Sequence, residues 1–95
     1  MDLTALQATI RATYGEADRA RGVDQTFGWL VEEVGELSRA IRRQGRAEQI
    51  EEFTDVLAWL VSLADLHDID LGAEVAARYA AGCPKCSASP CTCQH

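Results

Sequence analysis

Only two prolines interrupt the 95 residues, both beyond residue 83, and no segment alternates apolar and polar residues as a half-buried strand would. Without breakers or strand patterning, the long Ala/Leu/Glu/Arg-rich stretches read as helices. Basic residues are few as well: nine Lys and Arg against fifteen Asp and Glu, a net charge of −6. That balance argues against a groove for a nucleic-acid polymer, because such binding relies on basic surface that displaces counterions. A single nucleotide is still compatible, since divalent metal can bridge its phosphates. No apolar run approaches the ~18–20 residues that span a bilayer. No charged-then-apolar leader follows Met1-Asp2. The expectation is a cytoplasmic protein without a membrane partner. In a reducing compartment, four cysteines suit metal ligation or free thiols better than disulfides.

Ninety-five residues make one domain with, at most, a short appendage. Apolar residues make up 47%, as in globular chains. A chain this short buries a marginal core, which oligomerisation or a metal staple would reinforce. Leu3, Leu6, Ile10 and Tyr14 recur at helical spacing and predict a first helix over about Asp2–Ala20. Gly15 is a point where it would kink or break. Gly22 suits a left-handed cap. Asp24 is the expected N-cap of a second helix, about Gln25–Gln44, closed by Gly45. Its apolar seam is Leu30, Val34, Leu37 and Ile41. A third helix is expected over Ala47–Leu66, burying Phe53, Val56, Leu57, Leu60, Leu63 and Ala64. Asp70 then caps a shorter helix from Leu71 to about Ala80, with Gly82 beyond it. Short connections imply antiparallel neighbours, hence an all-α, antiparallel four-helix bundle-like domain over residues 1–82. Residues 83–95 form a separate, Cys-rich tail.

The second and third helices carry acids beside their apolar stripes. At about 100° per residue, Glu33 and Glu36 fall about 60° and 120° to one side of the second helix's seam. On the third helix, Glu52 and Asp55 share a face with Trp59. Glu32 points away. Two readings stand at this level. The acids lie on solvated flanks, or the two helices pack antiparallel and bring four carboxylates together. In the second case, like charges in partly desolvated surroundings resist ionisation unless a cation joins them. The donors would all be hard oxygens, so Mg²⁺ or Mn²⁺ is the natural occupant, and the matching chemistry is metal-assisted attack of water on a phosphoryl centre. Trp29 and Trp59 are either core or nucleotide-stacking residues.

The double motif Glu33-Val-Gly-Glu36, fifteen residues, then Glu52-Phe-Thr-Asp55, set in "LVEEVGEL" and "EEFTDVLAWL", resembles the all-α nucleoside triphosphate pyrophosphohydrolases of the MazG type. The resemblance spans about residues 1–82. It implies a helical homodimer or homotetramer that hydrolyses nucleoside triphosphates between the α and β phosphates, yielding monophosphate and pyrophosphate. It implies Glu33, Glu36, Glu52 and Asp55 as Mg²⁺ ligands and catalytic residues. Relatives carry a Lys and an Asn on the last helix. Here Arg78 is the nearest match and no Asn occurs anywhere in the chain. Arg78 either pairs with phosphate or neutralises its helix end. Arg43 is a further phosphate candidate, with a solvated role as the alternative. Trp29 and Trp59 complete the expected substrate contacts. The competing expectation is a non-catalytic helical module that recruits a partner protein through its tail.

In that tail, Cys83-Pro-Lys-Cys86 is followed by Cys91-Thr-Cys93. Four thiolates this close can surround one structural Zn²⁺, with His95 as a spare ligand. Free or redox-active thiols and disulfides are the alternatives.

Overall fold

A computed structural model of the chain describes residues 1–94. His95, the spare ligand, lies outside the described residues. Four helices follow one another: α1 Leu3–Arg21, α2 Val23–Arg43, α3 Arg46–Leu66 and α4 Leu71–Arg78. No strand occurs among the described residues. α3 packs against both α1 and α2, whereas α4 rests on α1.

The helix ends show how little chain joins the elements. The Asp2 side chain caps α1 by accepting from the Ala5 N–H at 2.8 Å, and Asp70 caps α4 through Ala73. Gly22, with φ of 86°, closes α1 and opens α2 on a single residue. Its N–H donates to the Asp18 carbonyl, and its own carbonyl accepts from Thr26. Asp24 therefore sits in the first turn of α2 instead of capping it, because the left-handed glycine already makes the corner. Gly45 is extended and begins α3, while Gln44 ends α2. The Gln49 amide donates to the Gln44 carbonyl, just past the end of α2, and to the Ala40 carbonyl, which also accepts from the Gln44 N–H. α1 runs unbroken through Gly15, which is buried and close to Arg19 and Arg11. Gly15 is thus a packing position, not a break. α4 stops at Arg78, short of the expected Ala80.

α1 is tied to the α3–α4 corner by Gln7, which is buried. Its Oε1 accepts from the Gly72 N–H at 2.7 Å. Arg11 pairs with Asp65 at 2.7 Å. A Cβ at Gly72 would run into Thr4 Oγ1, so a larger residue there would force the Thr4 side chain to move where α4 approaches α1.

The core is thin. Ile10, Ala40, Val61 and Ala64 are its buried apolar members. On α2 the inward line is Thr26, Glu33 and Ala40. These are seven residues apart, which returns to within about 20° of one face. The expected seam lies off to one side: Leu30 and Leu37 are half-buried, but Val34 is 49% exposed and Ile41 54%. On α3, Ala64 is buried and Val56 and Leu63 half-buried, yet Phe53 is 56% exposed, and Leu57 and Leu60 are exposed too. With Thr26, Glu33 and Ala40 turned inward on α2, the larger apolar side chains at Val34 and Ile41 face outward. The radius of gyration, 15.6 Å, exceeds the ~12 Å of a compact chain of this length. The helices leave an apolar face that they do not cover themselves.

Candidate functional site

The inward line of α2 and one stripe of α3 meet at the acids. Ligand oxygens of Glu33, Glu36 and Glu52 lie within 4.8 Å of one another. Asp55 stands one turn along α3, outside that trio, but its charge reaches Glu33. Glu33 and Glu52 are half-buried and Glu36 exposed. The Glu33 carboxyl is pushed up to about 7. Burial is the largest cause, followed by a hydrogen bond to Glu52 that only a protonated Glu33 can make, and then by the charges of Glu36, Asp55 and Glu52. Buried Oε2 atoms on both Glu33 and Glu52 have no hydrogen-bond partner. Unpartnered, desolvated carboxylate oxygens are costly in a purely structural setting. A divalent cation preferring hard oxygen fits this donor set, and Mg²⁺ and Mn²⁺ are the fitting metals.

The α3 stripe continues from Glu52 and Asp55 through Trp59 to Ser62. There it borders a cleft of about 250 Å³ lined by Tyr14, Asp18, Arg21, Asp55, Ala58, Trp59 and Ser62. Trp59 stacks on Trp29 across the α2–α3 contact, with ring centroids 6.2 Å apart and planes 19° from parallel. The Arg21 guanidinium lies over the Trp59 ring, 4.8 Å from its centroid. Arg21 also donates to Asp18 Oδ1 at 2.8 Å and to Thr26 Oγ1 at 3.3 Å. Asp18 is only 2% exposed, and its Oδ2 has no partner. The cleft therefore offers an aromatic wall, a cation and an unsatisfied acceptor beside the carboxylates.

Of the residues expected from sequence, the structure gathers Glu33, Glu36 and Glu52, with Asp55 and Trp59 bordering the adjoining cleft and Trp29 stacked behind Trp59. Arg43 ends α2 in an exposed position, and Arg78 lies near the ring of Tyr79. Neither is among the residues lining the cleft. Sequence reasoning missed Asp18 and Arg21. The signal was present: Arg21 follows Leu3 by eighteen residues, about five full turns, so a charge sits on the first helix's apolar seam. Asp18 lies about 60° away from it.

The four cysteines are also brought together, each Sγ within 4.8 Å of the others. None is in a disulfide. Hydrogen bonds from Thr92, its hydroxyl first and then its peptide N–H, hold Cys86 down to about 5. Thiol contacts with Cys91, Cys86 and Cys83 push Cys93 up to about 11.

An all-helical chain with carboxylates gathered between two of its helices defines an all-α protein with a hard-oxygen donor set. The family model described as the MazG nucleotide pyrophosphohydrolase domain matches residues 21–84, two-thirds of the chain, and the chain belongs to that family. No curated protein matches it in sequence. Among the described residues, no helix is long and apolar enough to cross a membrane.

Proposed function

We propose that the chain is a Mg²⁺- or Mn²⁺-dependent nucleoside triphosphate pyrophosphohydrolase that cleaves between the α and β phosphates. The observation that carries this reading is the convergence of Glu33, Glu36 and Glu52 beside a cleft walled by Trp59. Glu33, Glu36, Glu52 and Asp55 would hold the metal. Bound there, the cation supplies charge neutralisation for the triphosphate and for the departing pyrophosphate.

The chain's own residues account for the rest. The cluster directs a hydrolytic water at the α-phosphorus, and a carboxylate oxygen of the cluster that the metal does not engage takes its proton. A bond forms from the water oxygen to the α-phosphorus, and the bond to the bridging oxygen breaks. Nucleoside monophosphate and pyrophosphate result. Trp59, held by Trp29 and Arg21, forms the aromatic wall of the cleft against which the base packs. Asp18 Oδ2 accepts a hydrogen bond from a base amine or a sugar hydroxyl in the cleft. With no asparagine available, recognition falls to this carboxylate.

The working form is a homodimer or homotetramer in the cytoplasm. Phe27, Val31, Val34, Ile41, Phe53, Leu57 and Leu60 stand exposed on α2 and α3, and a second copy would cover them. Residues 1–82 are the catalytic unit and residues 83–95 a distinct tail.

The direct test incubates the full chain with a panel of ribo- and deoxynucleoside triphosphates and Mg²⁺, and measures pyrophosphate. Release of pyrophosphate with the monophosphate is expected for at least one nucleotide. Silence across the panel, or release of orthophosphate with a diphosphate, would sink the assignment.

A further inference from the structure

We infer that Cys83, Cys86, Cys91 and Cys93 bind one Zn²⁺ in a closed, structural tetrathiolate site that folds the C-terminal segment independently of the acidic cluster. The first argument is distance. Zinc–thiolate bonds of about 2.3 Å set tetrahedral sulfur–sulfur edges at about 3.8 Å. Cys83 and Cys93 have their sulfurs 3.8 Å apart, and so do Cys86 and Cys91. All four Sγ atoms lie within 4.8 Å of one another. Disulfide sulfurs would stand about 2.05 Å apart and in isolated pairs. Here the Cys86–Cys91 pair nests inside the Cys83–Cys93 pair, each joining the first knuckle to the second.

The second argument is the surrounding of the sulfurs. Peptide N–H groups are aimed at them. Thr92 N donates to Cys86 Sγ at 3.4 Å and Cys93 N to Cys91 Sγ at 3.3 Å. The backbone N–H groups of Cys86 and Lys85 face Cys83. Such donors orient sulfur ligands and offset the charge of a thiolate set. The loop also closes on itself: Cys83 N donates to the Ala88 carbonyl at 3.0 Å, and the Cys83 carbonyl accepts from Ser87 N at 2.7 Å.

The third argument is what else is available to order this segment. Residues 83–93 contain no helix, no strand and no large apolar side chain. A segment without a core of its own takes its folding free energy from metal where four ligands converge. The matched family domain ends at residue 84, so three of the four thiols lie beyond it. Four thiolates leave no open coordination position, which makes the site structural rather than catalytic.

Gly82 provides a test that spares every ligand. Its φ is 97°, and a Cβ there would sit 2.8 Å from the Ala88 carbonyl oxygen. Gly82→Ala therefore strains the loop while keeping all four thiols.

The full chain, purified under reducing conditions, is assayed for metal and then reconstituted with Co²⁺ as a spectroscopic stand-in. One zinc per chain is expected, with sulfur-to-cobalt charge transfer and the intense visible bands of tetrahedral cobalt. Cys91→Ser/Cys93→Ser should lose both zinc and these bands with unchanged helical circular dichroism. Gly82→Ala should bind zinc about tenfold more weakly. The inference is overturned by zinc-free thiols, by weak octahedral cobalt bands that place the metal at the carboxylates, or by full zinc occupancy in the double variant. Nucleotide hydrolysis plays no part in these readouts.

Discussion

The acidic cluster and the thiol cluster solve the same problem with different scaffolds. Each collects groups of one charge type within 4.8 Å. The carboxylates are presented by two long helices, so an i, i+3 spacing on each holds their geometry whether or not an ion is present. The thiols sit on a loop whose order comes from hydrogen bonds to sulfur and a glycine at positive φ. A helix-borne cluster can stay partly unsatisfied, as the bare Oε2 atoms of Glu33 and Glu52 show. A loop-borne cluster has no comparable support. On the proposed reading, the difference separates a site prepared for exchange of ligands from one that folds around its ligand.

The largest expected effect removes charge from the rigid cluster. Glu36→Gln should lower pyrophosphate release at least a hundredfold, the range seen when a preorganised electrostatic contact is lost. Helical circular dichroism should stay at the wild-type level, because Glu36 is exposed. Undiminished turnover would take Glu36 out of the site.

A smaller effect concerns protons. In the metal-free folded chain Glu33 keeps its proton up to about 7, against an ordinary value of 4.5. Between these values the native state binds more protons than the unfolded one. The Glu33 contribution to stability is therefore greatest below that window, falls as pH rises through it and levels off above about 7. Melts at about pH 5 and about pH 8 should show this loss in wild type relative to Glu33→Gln, with chelator present. Added Mg²⁺ should reverse the trend, because it binds the deprotonated carboxylates. A wild-type profile parallel to that of Glu33→Gln would contradict the crowding.

The smallest expected effect is a near-zero one. Cys86→Ser should change the thermal unfolding of the helical part by no more than about 0.5 kcal/mol, as for a substitution away from its packing. A large drop in helix stability would mean that the two clusters are coupled.

Much of the fold was readable without coordinates. The second and third helices follow from apolar recurrence at three and four residues, and the Asp2 and Asp70 side chains make caps as short polar groups ahead of helices do. The acid pairs were readable because helix pitch places residues three apart on one face. Asp18 and Arg21 were overlooked because a charge pair at a helix end looks like ordinary capping until another helix packs over it.

Local sequence determined which segments coil, where most of them stop, and that two acid pairs and two cysteine pairs occur at ligand spacing, since these depend on interactions a few residues long. Tertiary packing alone decided that Thr26, Glu33 and Ala40 face inward while Val34 and Ile41 face out, and that Asp18 and Arg21 join Trp59 at one cleft. Periodicity specifies a helix's stripe; the rotation of that stripe against its neighbour depends on how closely side chains of particular sizes on separate helices can pack.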